Sequence, residues 1–125
     1  MMTPETGASG APGRAVVVTG ASSGIGKAVA LGLAERGFSV YAGVRRDEDA
    51  EALTSAWSAL AATGRRGSMT TVTLDVTCAD HIAAVVDRVS AEAGPTGLAG
   101  IVNNAGIAVA GPMEFIPLED LRQQF

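Results

Sequence analysis

Thr19-Gly20-Ala21-Ser22-Ser23-Gly24-Ile25-Gly26 follows an apolar, β-branched run directly and leads into Lys27-Ala28-Val29-Ala30. Residues 15–19 read as a strand buried on both faces, and Ile25, Val29 and Leu33 recur at a spacing of four, which reads as a helix. A glycine-rich turn between a strand and a helix is where an α/β fold binds an anion. Gly20 lets the chain turn sharply, Gly24 lets the backbone approach a phosphate, and Gly26 lets the helix lie against the strand. The helix start adds free N–H donors and a positive dipole end. Ser22 and Ser23 add hydroxyl donors, so Gly20, Ser22, Ser23, Gly24, Ile25 and Gly26 form the first group of candidate cofactor-binding residues.

The glycines are spaced Gly-x-x-x-Gly-x-Gly, not Gly-x-Gly-x-x-Gly as in ordinary dinucleotide folds. A nucleoside-triphosphate P-loop is excluded, because it would need glycine where Ala21 stands and Ser or Thr after Lys27, where Ala28 stands.

Outward from the turn, short apolar runs alternate with helical patterns. Gly37 closes the first helix, whose inner stripe is expected to be Ile25, Val29 and Leu33 with small Ala28 and Gly32 beside it. Residues 38–44 read as the second strand, and Ala50, Leu53, Trp57 and Leu60 mark a second helix closing near Gly64. Residues 69–75 read as the third strand. Thr77, with Asp80 three residues on, is expected to cap a third helix whose apolar face is Ile82, Val85, Val86 and Val89. Gly94 and Pro95 stop it, Leu98–Val102 is the fourth strand, and a last helix begins near Pro117 or Leu118. The fold class expected is therefore α/β, a doubly wound parallel sheet of Rossmann type, with four strands and flanking helices. Residues 1–13, rich in Gly, Ala, Pro, Ser and Thr, are expected to be a disordered tail. Residues 14–125 are expected to be the N-terminal dinucleotide-binding half of the domain.

The formal net charge of −4 argues against nucleic acid or an anionic membrane as a partner, since both need clustered Lys and Arg. The single cysteine, Cys78, has no second thiol for a disulfide or a structural metal site. No targeting pattern or long apolar span is visible, so a cytoplasmic location is the expectation, with no metal. Trp57 reads as core, Cys78 as a small buried hydrophobe, and His81 as a solvated side chain.

Three stretches together carry a resemblance. The turn from Thr19 to Gly26 is similar, position for position, to the cofactor motif of the short-chain dehydrogenase/reductase family. Asn103-Asn104-Ala105-Gly106 resembles that family's Asn-Asn-Ala-Gly run, and Leu74-Asp75-Val76 resembles the segment whose Asp caps the adenine amino group. The resemblance implies that Asn103, Ala105 and Gly106 line the nicotinamide side of a cleft and that Asp75 and Val76 contact adenine. Read without it, the two asparagines could shape a turn and Asp75 could satisfy loop amides. A sugar-nucleotide epimerase is disfavoured, because that type resembles Gly-x-x-Gly-x-x-Gly and lacks the Asn-Asn-Ala-Gly run.

Members that bind NAD carry a carboxylate at the end of the second strand, roughly 20 residues after the turn. Val44 stands there, followed by Arg45 and Arg46. A guanidinium can pair with the 2′-phosphate of NADP, so NADP is the expected cofactor, with NAD possible. In the alternative, both arginines face solvent and pair with Asp47, Glu48 or Asp49.

The resemblance implies hydride transfer between the cofactor and a small alcohol or carbonyl substrate, and a homo-oligomer. It also implies a Ser, a Tyr and a Lys four residues after the Tyr for the proton relay. The one tyrosine is Tyr41, inside a strand and followed four residues later by Arg45, and the one lysine is Lys27. No residue is therefore assigned as catalytic, and the relay is expected beyond Phe125. A non-catalytic dinucleotide-binding or sensing module is the alternative function.

Overall fold

The computed structural model describes residues 13–64 and 67–125; the expected tail lies outside the described residues except for Gly13. Four strands, β1 (Ala15–Val18), β2 (Ser39–Val44), β3 (Ser68–Thr73) and β4 (Leu98–Val102), form one parallel sheet in the order β3-β2-β1-β4. Helices α1 (Gly24–Glu35), α2 (Asp47–Ala61) and α3 (Ala79–Ala93) lie between successive strands, and α4 (Leu118–Gln124) follows β4. Because β1 has β2 on one side and β4 on the other, the connections after β1 and β4 diverge. Such a switch point opens a crevice beyond the carboxyl ends of the strands.

Strand periodicity distributes the core between two layers. Val16, Val18, Val40, Ala42 and Val44 meet Ala30 and Ala34 of α1 and Leu53 of α2. Ala15, Val17, Tyr41, Val72 and Leu74 meet Val85 and Val89 of α3 on the other face. Helices thus cover both faces, as the doubly wound expectation requires, and Trp57 packs against the first layer.

Several expectations are corrected in detail. The inner stripe of α1 is Gly26, Ala30 and Ala34, not Ile25, Val29 and Leu33. A Cβ on Gly26 would collide with the Gly20 carbonyl and the Asn104 amide, so the helix lies too close to the sheet for branched side chains beneath it. Val29 and Leu33 pack sideways against the core edge, and Ile25 is 75% exposed. Of the apolar face expected for α3, Val85 and Val89 are buried while Ile82 and Val86 remain exposed. The N-cap of that helix is Cys78, half-buried, rather than Thr77, whose N–H and hydroxyl are both committed to Asp75. The first strand ends at Val18, the second begins at Ser39, and the third spans Ser68–Thr73.

Tyr41 has a structural role. Its hydroxyl donates to Glu92 Oε1 of α3 at 2.8 Å, and Arg88 pairs with Glu92 Oε2 at 3.2 Å, which fastens α3 to the sheet. Burial, then the hydrogen bond to Glu92, raise the Tyr41 pKa above its ordinary value. The same bond, followed by Arg88, lowers that of Glu92. Raised in the folded state, the phenol contributes stability that is fully present below about pH 10, the unfolded value. That contribution is lost as pH rises through the folded pKa. Tyr41→Phe is expected to lower the unfolding midpoint at neutral pH and to flatten its alkaline decline. Unfolding followed by circular dichroism from pH 7 to 11 checks this, and an unchanged alkaline limb would refute it.

Candidate functional site

The crevice at the switch point is a cleft of about 470 Å³. Gly20, Ser22 and Ser23 line it from the turn after β1, Val44 and Arg45 from the end of β2, Asp75, Val76 and Thr77 from the turn after β3, and Asn104, Ala105 and Gly106 from the segment after β4. Four segments distant in sequence meet there because parallel strands deliver all their carboxyl ends to one side of the sheet.

Thr19 holds two of these loops together. Its hydroxyl, on a residue 6% exposed, accepts hydrogen bonds from the N–H groups of Asn104 at 3.0 Å and Ala105 at 2.9 Å, and donates to the Val102 carbonyl at 3.4 Å. The Asn104 side-chain amide donates to the Gly20 carbonyl at 3.0 Å. Gly20, at φ 66°, has the Ala105 backbone where a Cβ would stand. The turn after β1 and the Asn-Asn-Ala-Gly segment therefore form one interlocked floor.

Helix α1 points its N-terminus at this floor. Ser23 is its N-cap, yet the Ser23 side chain makes no capping bond and lines the cleft. The N–H groups of the first turn have no acceptor within the helix and carry the positive end of its dipole, the arrangement that binds anions.

The two arginines after β2 part ways. Arg46 makes a two-pronged ion pair with Asp49, at 3.0 and 3.3 Å, and reaches Glu48 at 3.6 Å. It is thereby turned to α2 rather than to the cleft, which Arg45 lines. The ion pair with the acidic run is thus made by Arg46, while Arg45 is exposed and lines the cleft. The Asp75 carboxyl is held below its usual range, first by the Thr77 hydroxyl and then by the Thr77 N–H, with smaller help from Arg45 and His81. His81, expected to be a solvated side chain, is half-buried, and its Nδ1 accepts from the Asp75 N–H at 3.1 Å.

Of the residues singled out from sequence, Gly20, Ser22, Ser23, Arg45, Asp75, Val76, Ala105 and Gly106 come together around the cleft. Gly24 and Gly26 shape the turn without lining it, the Ile25 side chain points away, and Asn103 lines a groove on the α3 face instead. The sequence reading gives no cofactor-site role to Thr19, Asn104, Thr77 or His81. Thr19 carried a signal, a polar residue closing an otherwise apolar strand; His81 carried none, because its partner is fixed by the turn before α3. Among the described residues no group of three or more His, Cys, Asp or Glu could hold a metal ion, and no helix is long and apolar enough to cross a membrane.

The family model for short chain dehydrogenase matches residues 14–125. The chain is similar to the NADPH-dependent 3-dehydrocapnine reductase of Ornithobacterium rhinotracheale, 36% identical over 112 residues, which cover 90% of this chain and 37% of that protein. Among solved structures, a short-chain type dehydrogenase/reductase from Mycobacterium ulcerans superposes with a TM-score of 0.77 at 35% identity over 90% of this chain. The actinorhodin polyketide ketoreductase, solved with NADPH, superposes with a TM-score of 0.75 at 27% identity, also over 90% of this chain. The chain spans 40% of each of those two structures. The match takes in the glycine turn, all four strands and the Asn-Asn-Ala-Gly segment that Thr19 locks to them, and on that ground the chain belongs to the short-chain dehydrogenase/reductase family.

Proposed function

We propose that this chain forms the adenosine and pyrophosphate site of an NADP-preferring oxidoreductase acting on a small alcohol or carbonyl compound. The observation that carries the reading is the uncapped N-terminus of α1 opening beside Arg45 in one cleft. The residues present fit a dinucleotide: the floor admits no Cβ at Gly20 or Gly26, hydroxyls stand at Ser22 and Ser23, and a cation stands at Arg45. Ser22, Ser23 and the first N–H groups of α1 would hold the pyrophosphate, Arg45 the 2′-phosphate, and Asp75 and Val76 the adenine. When bound, such a cofactor supplies or accepts a hydride at its nicotinamide. The role given to these residues is binding and orientation, and none is assigned to the chemical step.

Val44 bears no carboxylate that would accept ribose hydroxyls and repel a 2′-phosphate, which favours NADP over NAD. The names of the relatives point the same way, one being an NADPH-dependent reductase and another a ketoreductase solved with NADPH. A hydrogen bond to a charged group contributes roughly 1.5–3 kcal/mol, which at about 1.4 kcal/mol per decade is a ten-fold to hundred-fold effect. Arg45→Ala is expected to weaken NADPH binding by about that factor and to leave NADH binding nearly unchanged. Side-by-side calorimetric titrations check this. Equal affinities for the two cofactors in the unmutated protein, or no selective loss in Arg45→Ala, would sink the NADP assignment.

A further inference from the structure

Asp75 has four polar sites, and three of them are fixed by its own neighbourhood. Its N–H donates to His81 Nδ1 at 3.1 Å, its carbonyl accepts from the Cys78 N–H at 2.9 Å, and Oδ1 accepts from the Thr77 N–H at 2.9 Å and the Thr77 hydroxyl at 2.6 Å. Oδ2 has no hydrogen-bond partner among the described residues, and Asp75 lines the cleft. The bond to His81 is the one that a side chain of α3 makes to Asp75, beside the backbone bond from Cys78 at that helix's N-cap, and it requires the tautomer whose proton sits on Nε2.

We propose that His81 is a positioning residue for base recognition: it anchors the Asp75 backbone so that Oδ2 faces the exocyclic group of a bound purine. The inference rests on the cofactor reading above. Thr77 alone fixes Oδ1 only relative to a turn that is itself local, because both ends of that contact lie within residues 75–77. Leu74, buried and bonded through its N–H to the Val44 carbonyl at 2.8 Å, ties the turn to the sheet on one side, and the His81 ring, carried on a fifteen-residue helix packed against the sheet through Val85 and Val89, supplies the side-chain reference at Asp75 itself. An ionised carboxylate accepts hydrogen bonds and donates none. It therefore favours a purine carrying an amino group, as adenine does, over one carrying a carbonyl oxygen at the same position, as hypoxanthine does. Specificity of this kind depends on placement, because a misplaced acceptor loses the bond to the right base without gaining one to the wrong base.

The test is a ratio of affinities, NADPH against its hypoxanthine counterpart, measured by calorimetry in the unmutated protein, in His81→Leu and in His81→Asn. Asn places an acceptor oxygen two bonds from Cβ, where Nδ1 stands, so it keeps the anchor. The unmutated protein is expected to prefer NADPH by about ten-fold, the effect of one hydrogen bond to a charged group. His81→Leu is expected to bring the ratio close to one, and His81→Asn to restore most of it. A general loosening of the fold would weaken both nucleotides alike and leave the ratio standing. Binding of both by His81→Leu with the original ratio, or absence of discrimination in the unmutated protein, would overturn the proposal while leaving the cofactor reading intact. If the unmutated protein binds neither nucleotide, the cofactor reading itself fails, and this inference with it. Should His81→Leu not fold, His81→Ala removes the same acceptor without adding bulk and reads the same ratio.

Discussion

Gly26→Ala is expected to reduce NADPH affinity by about a hundred-fold and to destabilise the fold by about 2 kcal/mol, although alanine is the better helix former. The added methyl would lie inside the envelope of the Gly20 carbonyl and 2.5 Å from Asn104 Nδ2, and neither gives way cheaply. One is backbone, and the other is engaged in the hydrogen bond that ties the β1 turn to the segment after β4. Overpacking of this kind costs roughly 1–3 kcal/mol and occasionally more. Contact with fixed backbone places it at the upper end, from which the helix-propensity gain of about 1 kcal/mol subtracts. The larger effect is on binding. Relief of the clash moves the start of α1 off the floor, carrying its free N–H groups away from the pyrophosphate. Losing two charge-assisted bonds at roughly 1.5 kcal/mol each gives about two decades. Urea unfolding and NADPH titration of the same preparation check both halves. Near-normal affinity in a protein as stable as the original would mean that α1 does not rest on the floor as described.

Thr19→Val is the second substitution with a large expected effect, a loss of about 2–4 kcal/mol of stability with little change in shape. Valine fills the same volume but leaves the N–H groups of Asn104 and Ala105 without their common acceptor. An unsatisfied buried donor costs roughly 1–3 kcal/mol. Two of them would reach the sum, reduced here because Ala105 is exposed and water can reach its N–H. Thr19→Ser keeps the hydroxyl and is expected to recover most of the loss. Guanidinium midpoints for the three proteins provide the check. Equal midpoints for the threonine and valine forms would show that the interlock contributes nothing to stability.

Much of this architecture was legible along the chain because it is governed by local periods. Strand and helix placement followed from apolar spacing, and the four strands lie within a residue or two of where the pattern set them. The glycine turn was legible for the same reason: a strand, three glycines and a helix within a short stretch leave few conformations open. Val44 with Arg45 follows from counting along the chain from that turn, whereas Asp75 stands out only through the resemblance of Leu74-Asp75-Val76 to a family segment.

What the pattern could not decide was which of several equivalent residues faces the cleft. The spacing of Ile25, Val29 and Leu33 is as helical as that of Gly26, Ala30 and Ala34. The distance of α1 from the sheet decides between them, and that distance exists only once the Gly20 carbonyl and Asn104 stand beneath the helix. Arg45 and Arg46 are chemically alike in sequence, and the first turn of α2 separates them by presenting Asp49 to the second. Asn103 and Asn104 are equivalent as letters, but successive residues of an extended segment point to opposite sides. Asn104 thus meets Gly20 while Asn103 turns to the α3 face. Element order, fold class and the glycine-rich turn are consequences of short-range sterics and apolar period and so can be read along the chain. The contacts Thr19–Asn104, Thr19–Ala105 and Asn104–Gly20 exist only in the folded molecule, where they join loops 84 to 86 residues apart. Contacts over that separation are set by the pairing of β1 with β4, and no local pattern encodes the geometry that the pairing imposes on the loops beyond it.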